Sequence, residues 1–310
     1  MEKMKKSKKK PTVTVLMSTY NGSKFLKEQI ESILSQIGVN VSILVRDDGS
    51  SDETTRILKK YENEGKLKWY SGKNLGPAKS FLNLVNANIN SEFCAFSDQD
   101  DVWKKDKLKR AIYKLNKYDA NIPLLYTSNF ELVDESLNPL PNVFHLTTTT
   151  LNSAIVCSLC TGCTMVFNQE LLKKLKGKIP NSIFMHDDWI HKVCLSIGGI
   201  VIYDKNFRGV YYRQHKNNVE GGRHTIFEKI KIYKKRVFDQ RYCMLNEWKE
   251  ILNLYNLQIP LKNKKVINTI INYPAENIFE RIKLVKKPDY KIKYKRLAKE
   301  FELGIIFKFY

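Results

Sequence analysis

Three carboxylates occupy four positions at Asp98-Gln99-Asp100-Asp101, directly after the apolar run Phe93–Ser97. Hard divalent cations such as Mg2+ or Mn2+ take oxygen ligands and keep coordination positions for phosphate, so a carboxylate cluster at a strand end suits them. The same residues could instead cap a helix, because Asp101 precedes Val-Trp-Lys-Lys and carboxylates favour helix starts. A second acidic turn, Asp47-Asp48-Gly49-Ser50-Ser51-Asp52, follows Val41–Val45. There Gly permits a tight bend and an Asp could accept from a base N–H or a ribose hydroxyl, while Ser51 or Asp52 could simply cap the next helix. In the second half, His186-Asp187-Asp188-Trp189 and Tyr212-Arg213-Gln214-His215 are the polar groups. A carboxylate there could be a general base, and a His a metal ligand or phosphate donor. Cys157, Cys160 and Cys163 have a spacing seen in iron–sulfur ligation, but the fourth Cys of the usual run is absent and Cys160–Phe167 reads as an apolar strand.

The elements that must position these groups alternate. Val13–Met17 reads as a buried strand, residues 22–37 place Phe25, Ile30, Ile33 and Leu34 on one helical face, and Val41–Val45 is a second strand. A helix carrying Ile57, Leu58 and Tyr61 follows, then a strand at Leu67–Tyr70, a helix at about residues 77–89 and the strand Phe93–Ser97. Strands alternating with helices imply an α/β fold with a mostly parallel, doubly wound sheet, in which ligands bind beyond the carboxyl ends of the strands. The polar clusters Ser18–Asn21, Asp47–Ser51 and Asp98–Asp101 all fall at such ends.

From about Thr225 the texture changes. Ile226, Ile230, Tyr233, Val237, Met244, Trp248 and Ile251 recur at helical spacing with Lys and Arg between them, an amphipathic helix with a basic face. The domain reading is therefore a basic flexible arm at 1–10, a catalytic domain at 11–224 and a basic helical extension at 225–310. The net charge of +21 concentrates at these ends, with 20 Lys and Arg against nine Asp and Glu in residues 225–310. A nucleic-acid binder would carry its basic residues among aromatics around the core, and this core is nearly neutral. Amphipathic basic helices suit an anionic membrane surface instead. No run approaches the roughly 20 apolar residues that span a bilayer, nothing argues for export, and the six cysteines read as reduced thiols of a cytoplasmic protein.

The ordered set Ser18-Thr19-Tyr20-Asn21-Gly22, Asp47–Asp52, Asn74-Leu75-Gly76-Pro77-Ala78-Lys79, Ser97–Trp103, Thr161-Gly162-Cys163, His186–Trp189 and Tyr212–His215 resembles glycosyltransferase family 2, over about residues 11–222. Its style is most similar to bacterial rhamnosyltransferases of surface-polysaccharide synthesis. The resemblance implies a GT-A fold, a Rossmann-like doubly wound mixed sheet, here with a C-terminal α-helical extension. It also implies a nucleotide-sugar donor held by Thr19, Tyr20, Asn21, Asp48, Lys79, Asp98 and Gln99. Asp100 and His215 would hold Mg2+ or Mn2+. Trp103, Gly162, Trp189 and Arg213 would line the donor and acceptor pocket, and Asp187 would be the catalytic base. His186 departs from the Glu usual in that position, which leaves Asp188 as an alternate base. The implied reaction is inverting transfer, with L-rhamnose from dTDP-rhamnose the leading donor and a UDP-hexose the other. The acceptor would be a glycan or lipid-linked oligosaccharide of a capsule, O-antigen or cell wall, met at the inner face of the membrane. A noncatalytic scaffold of the same fold would have no need of Asp100, Asp187 and His215.

Overall fold

The computed structural model describes residues 9–141, 147–215, 245–287, 290 and 295–308. The chain runs β1 (Thr12–Thr19), α1 (Leu26–Leu34), β2 (Asn40–Asp47), α2 (Thr54–Asn63), β3 (Lys68–Ser71), α3 (Pro77–Val85) and β4 (Phe93–Ser97). It continues through β5 (Val102–Trp103), α4 (Lys107–Leu115), β6 (Leu124–Val133), α5 (Leu151–Val156), β7 (Val166–Asn168), α6 (Gln169–Leu175), α7 (His186–Ser196) and β8 (Ile200–Arg213). Among the described residues four helices follow: α8 (residues 245–255), α9 (Leu261–Asn272), α10 (Ile278–Lys286) and α11 (Lys295–Ile306).

One eight-stranded sheet has the order β3-β2-β1-β4-β7-β6-β8-β5. β1 pairs in parallel with β2 on one side and β4 on the other. All five residues of β4 are buried, as expected of a parallel strand covered on both faces. Beyond β4 the sheet becomes mixed, with β7 antiparallel to both β4 and β6, and β8 parallel to β6. Chain order reverses between β1 and β4, so a crevice opens at their carboxyl ends, the standard ligand position in such sheets. Register lines the ends up: Met17 faces Ser97 and Thr19 faces Asp47.

Two readings shift. Helix α1 begins only at Leu26, because the Gly22 carbonyl accepts from both Phe25 N–H and Leu26 N–H (3.1 Å each) and closes a turn first. Cys160–Phe167 is not a strand: Gly162–Thr164 form a 3-10 turn, and pairing starts at Val166, where β4 and β6 offer free edges.

The apolar stripe of the C-terminal segment faces inward. Trp248, Ile251, Tyr255, Ile267, Ile270, Tyr273 and Ile305 are at most 1% exposed and form one continuous core with Leu16, Phe96 and Trp189. Each such side chain contributes roughly 1.5–3 kcal/mol by leaving water, so α8 to α11 are held by the same burial that holds the sheet. The stripe members Ile226, Ile230, Tyr233, Val237 and Met244 lie outside the described residues. Among the described residues no helix is long and apolar enough to cross a membrane.

Candidate active site

Three loops meet at the crevice. The Asp47 carboxylate is fully buried and accepts from Gly49 N–H (3.1 Å), Ser50 N–H (2.9 Å) and the Thr19 hydroxyl (3.1 Å), so it builds its own turn and ties it to β1. Asn21, at φ 47°, uses its side-chain oxygen to accept from Ser51 N–H (2.8 Å), and its own N–H donates to Ser50 Oγ (2.9 Å). Asp48 is 2% exposed, pairs with Arg46, and accepts from Leu75 N–H (3.0 Å) and Gly76 N–H (2.8 Å). It thereby draws the 74–77 turn against β2. Lys79 stands exposed on the first turn of α3, beside Ser80, whose hydroxyl accepts from Arg46 (3.0 Å).

Gln99 is bonded at both ends of its amide to the backbone of one residue: Tyr20 N–H donates to Oε1 (2.9 Å) and Nε2 donates to the Tyr20 carbonyl (3.0 Å). This pair fastens the acidic loop to the 19–22 loop and leaves the Tyr20 ring about half exposed at the mouth. It also explains Gly22, because a Cβ there would stand 2.1 Å from Gln99 Oε1.

Asp100 and His215 come together from residues 115 apart, His215 Nε2 lying 2.7 Å from Asp100 Oδ2. Arg213 makes that meeting possible. Its guanidinium is buried, donates through Nε to the Asp100 carbonyl (2.8 Å), reaches the Glu135 carbonyl and the Glu28 carboxylate, and lies over the Phe25 ring (4.5 Å). Arg213 N–H also donates to Asp101 Oδ1 (3.1 Å), so β8 grips the acidic loop by backbone and side chain together. Asp101 itself lies behind the crevice, 1% exposed. Burial, then the neighbouring Asp100 and Asp98 charges, hold its carboxyl well above the usual range. Ligand atoms of Asp98, Asp101 and Cys163 lie within 4.8 Å of one another.

The turn that carries Cys163 leads to Asp187. Gly162 N–H donates to Asp187 Oδ2 (2.9 Å), and Asp188 N–H donates to Asp187 Oδ1 (2.8 Å) at the start of α7. The Asp187 carboxylate therefore sits at a helix N-terminus, where backbone dipoles favour its charge. Asp188 points elsewhere: its Oδ2 accepts from Lys192 Nζ (2.6 Å), which also donates to Glu247 Oε2 of α8 (2.6 Å). Burial opposes the Asp188 charge, and Lys192 outweighs it, holding Asp188 below the usual carboxylate range. Burial pushes Glu247 up to about 7. His186 is buried against the Phe81 ring (3.9 Å between centroids), and burial pushes it down to about 3, so it is a neutral ring. Trp103 and Trp189 are core side chains at 2% and 0% exposure, Trp103 lying beneath Lys107 Nζ (3.3 Å).

Comparisons with known proteins identify the family and the fold. Residues 14–176 match the family described as Glycosyl transferase family 2. The chain is 30% identical over 237 residues to the dTDP-rhamnosyl transferase RfbG of Shigella flexneri, covering 69% of this chain and 77% of that protein. It belongs to glycosyltransferase family 2. It spans 58% of an uncharacterized Rickettsia typhi glycosyltransferase, 30% identical over 191 residues and 59% of this chain. Among solved structures, S. aureus TarS 1-349 in complex with UDP-GlcNAc superposes with a TM-score of 0.61 at 20% identity, covering 95% of this chain and 81% of that one. The mannosyltransferase PcManGT from Pyrobaculum calidifontis, in complex with GDP-Man and Mn2+, gives 0.53 at 15% identity over 97% and 87%. These identities speak to the fold, which is GT-A with added C-terminal helices.

Reasoning from sequence alone missed several groups that shape this family 2 site. Arg46 directly precedes the acidic turn at Asp47, while Glu28, Lys192 and Glu247 lie outside the polar clusters singled out in the sequence. A charged residue at a position that periodicity assigns to the core is the available signal for Lys192, four residues after Asp188 on α7.

Proposed function

We propose that this chain is an inverting, metal-dependent glycosyltransferase that moves a sugar from a nucleoside diphosphate donor onto a growing bacterial surface glycan. The carrying observation is the contact of Asp100 with His215 at 2.7 Å, in a crevice whose other wall is the loop bonded to Asp187. A carboxylate oxygen and an imidazole nitrogen at that separation form a donor pair that fits Mg2+ or Mn2+. When bound, the cation would supply positive charge beside the donor diphosphate.

The rest of the chemistry lies with side chains of the chain. The loops of Thr19–Asn21 and Asp48 face the nucleoside, with Lys79 at the entrance beside the diphosphate. As the bond from sugar C1 to the diphosphate oxygen breaks, the electron pair leaves with the nucleoside diphosphate. The acceptor hydroxyl attacks C1 from the opposite face, and its proton passes to Asp187. One displacement inverts the anomeric centre, and no enzyme nucleophile is needed. Asp188 is unsuited to the base role because its carboxylate is already spent on a buried ammonium.

The resemblance to a dTDP-rhamnosyl transferase supports L-rhamnose as the transferred sugar, with a UDP-hexose second. The acceptor is a glycan or lipid-linked oligosaccharide, and the enzyme works on the cytoplasmic side, peripherally attached to the inner face of the membrane. The test is a donor panel of dTDP-rhamnose, UDP-glucose, UDP-galactose, UDP-N-acetylhexosamines and GDP-mannose, assayed for hydrolysis and binding with and without Mn2+. Metal-dependent turnover of one donor is expected; no binding of any donor overturns the proposal.

A further inference from the structure

The helical extension carries its own polar groove, apart from the crevice and unused by the chemistry above. It has a volume of about 470 Å3 and runs between α9 and α10, lined by Lys265, Asn268 and Asn272 on one side and Arg281, Lys283 and Lys287 on the other. Arg281 is the unusual member. Its side chain is 8% exposed, and its Nε and Nη1 find no hydrogen-bond partner among the described residues. A guanidinium withdrawn from water without an anion is strongly disfavoured, and its planar fork matches phosphate oxygens. Two carboxylates also line the groove: Glu276 and Glu280 are both exposed, and Glu280 is bonded to Lys283 (2.6 Å).

The flanks identify the source of the anion. Leu261 is 77% exposed and shares one face of α9 with Lys265, Asn268 and Asn272, at helical spacing. Phe279 is 73% exposed and lies one turn before Lys283 on α10. Large apolar side chains left in water beside a groove lined by four cationic side chains are of no use to a free ion, but they fit a surface that is apolar below and phosphate-bearing above.

We propose that this groove binds the headgroup phosphate of an anionic membrane lipid, with Arg281 as its buried anchor and Leu261 and Phe279 entering the acyl boundary. The site deepens the peripheral attachment proposed above and does not depend on which sugar is transferred. It also differs from docking through the amphipathic stripe, whose described members are spent on the core.

The experiment is co-sedimentation of the full chain with vesicles of phosphatidylcholine alone or with added phosphatidylglycerol, comparing Arg281→Gln with Lys262→Gln, an equal charge loss on α9 outside the groove lining. Wild type should bind the anionic vesicles and not the neutral ones. Arg281→Gln should weaken that binding about tenfold or more, the loss of charge-assisted hydrogen bonds, while Lys262→Gln should weaken it by less than about fivefold. Equal losses in both variants overturn the groove in favour of diffuse attraction. Should Arg281→Gln abolish thermal stabilisation by inorganic phosphate yet leave vesicle binding unchanged, the lipid assignment is overturned. If Arg281→Gln does not fold, the exposed pair Lys265→Gln and Lys287→Gln carries the same comparison. Donor hydrolysis without vesicles should be unaltered in every variant. Its absence from wild type that binds vesicles would count against the transferase reading and leave the groove standing.

Discussion

Glu247→Gln tests how the C-terminal helices are coupled to the helix that bears Asp187. In the fold, one ammonium, Lys192, stands 2.6 Å from both Asp188 and Glu247, and Glu247 also accepts from Phe184 N–H (2.6 Å). One positive charge cannot compensate two buried carboxylates. Asp188 takes it, and burial pushes Glu247 from its ordinary 4.5 to about 7. A carboxyl whose folded pKa is raised contributes stability that is complete below the unfolded value and is lost as pH rises through the folded one. Glu247 therefore weakens the fold between about pH 5 and pH 8, by an amount on the order of 2–3 kcal/mol at roughly 1.4 kcal/mol per pH unit. That is a large share of a domain's typical 5–15 kcal/mol.

Gln has the shape of the protonated acid and removes this loss. Urea unfolding of both proteins from pH 5 to pH 8 should show the variant gaining on wild type as pH rises, with nearly equal stability at the acidic end. Taking the difference cancels the opposing contributions of His186 and His191, which burial holds down at about 3 and about 4. Those histidines make both proteins lose stability as pH falls below about 6.5. A difference that stays flat with pH, or that turns against the variant at pH 8, would refute the assignment of the proton to Glu247.

The other expectations concern the crevice. Asp187→Asn should keep donor affinity while transfer falls by roughly 10²–10⁴, the usual contribution of a placed general base; Asp188→Asn should chiefly lower stability, and a selective loss of transfer in Asp188→Asn would move the base by one residue. Chelation should abolish transfer, Mn2+ or Mg2+ should restore it, and calorimetry should show Asp100→Ala and His215→Ala weakening metal-dependent donor binding; a fully active chelated enzyme contradicts this. Gly22→Ala should displace Gln99 from the Tyr20 peptide, costing about 1–3 kcal/mol for two hydrogen bonds, read as a lower urea midpoint together with weaker donor binding. Unchanged values for both would show that the Gln99 clamp is dispensable.

The order of elements up to β4 was legible because parallel strands buried on both faces are written as unbroken apolar runs, such as Val13–Met17 and Phe93–Ser97, and because helices with one wet face are written with a 3.6-residue period. The place of the candidate site was legible for a related reason. In a doubly wound sheet the crevice lies where apolar runs stop, so polar residues just past a strand's end, Asp48 and Asp98–Asp100 among them, mark it without any knowledge of contacts. Other features depend on which segments meet, and no local pattern encodes that. Asp187 and Asp188 are adjacent and chemically alike; only the ammonium of Lys192 on one side and the Gly162 N–H on the other tell them apart. The apolar stripe around Trp248 is equally suited to lipid or to protein by its spacing, and the core it joins with Trp189 decided for protein. Arg213 looked like a pocket residue, yet its buried fork holds Glu28, Glu135 and the Asp100 backbone, from three separate parts of the chain. The periodicity of a sequence reports the face a residue turns inward, and the tertiary structure alone supplies the partner it finds there.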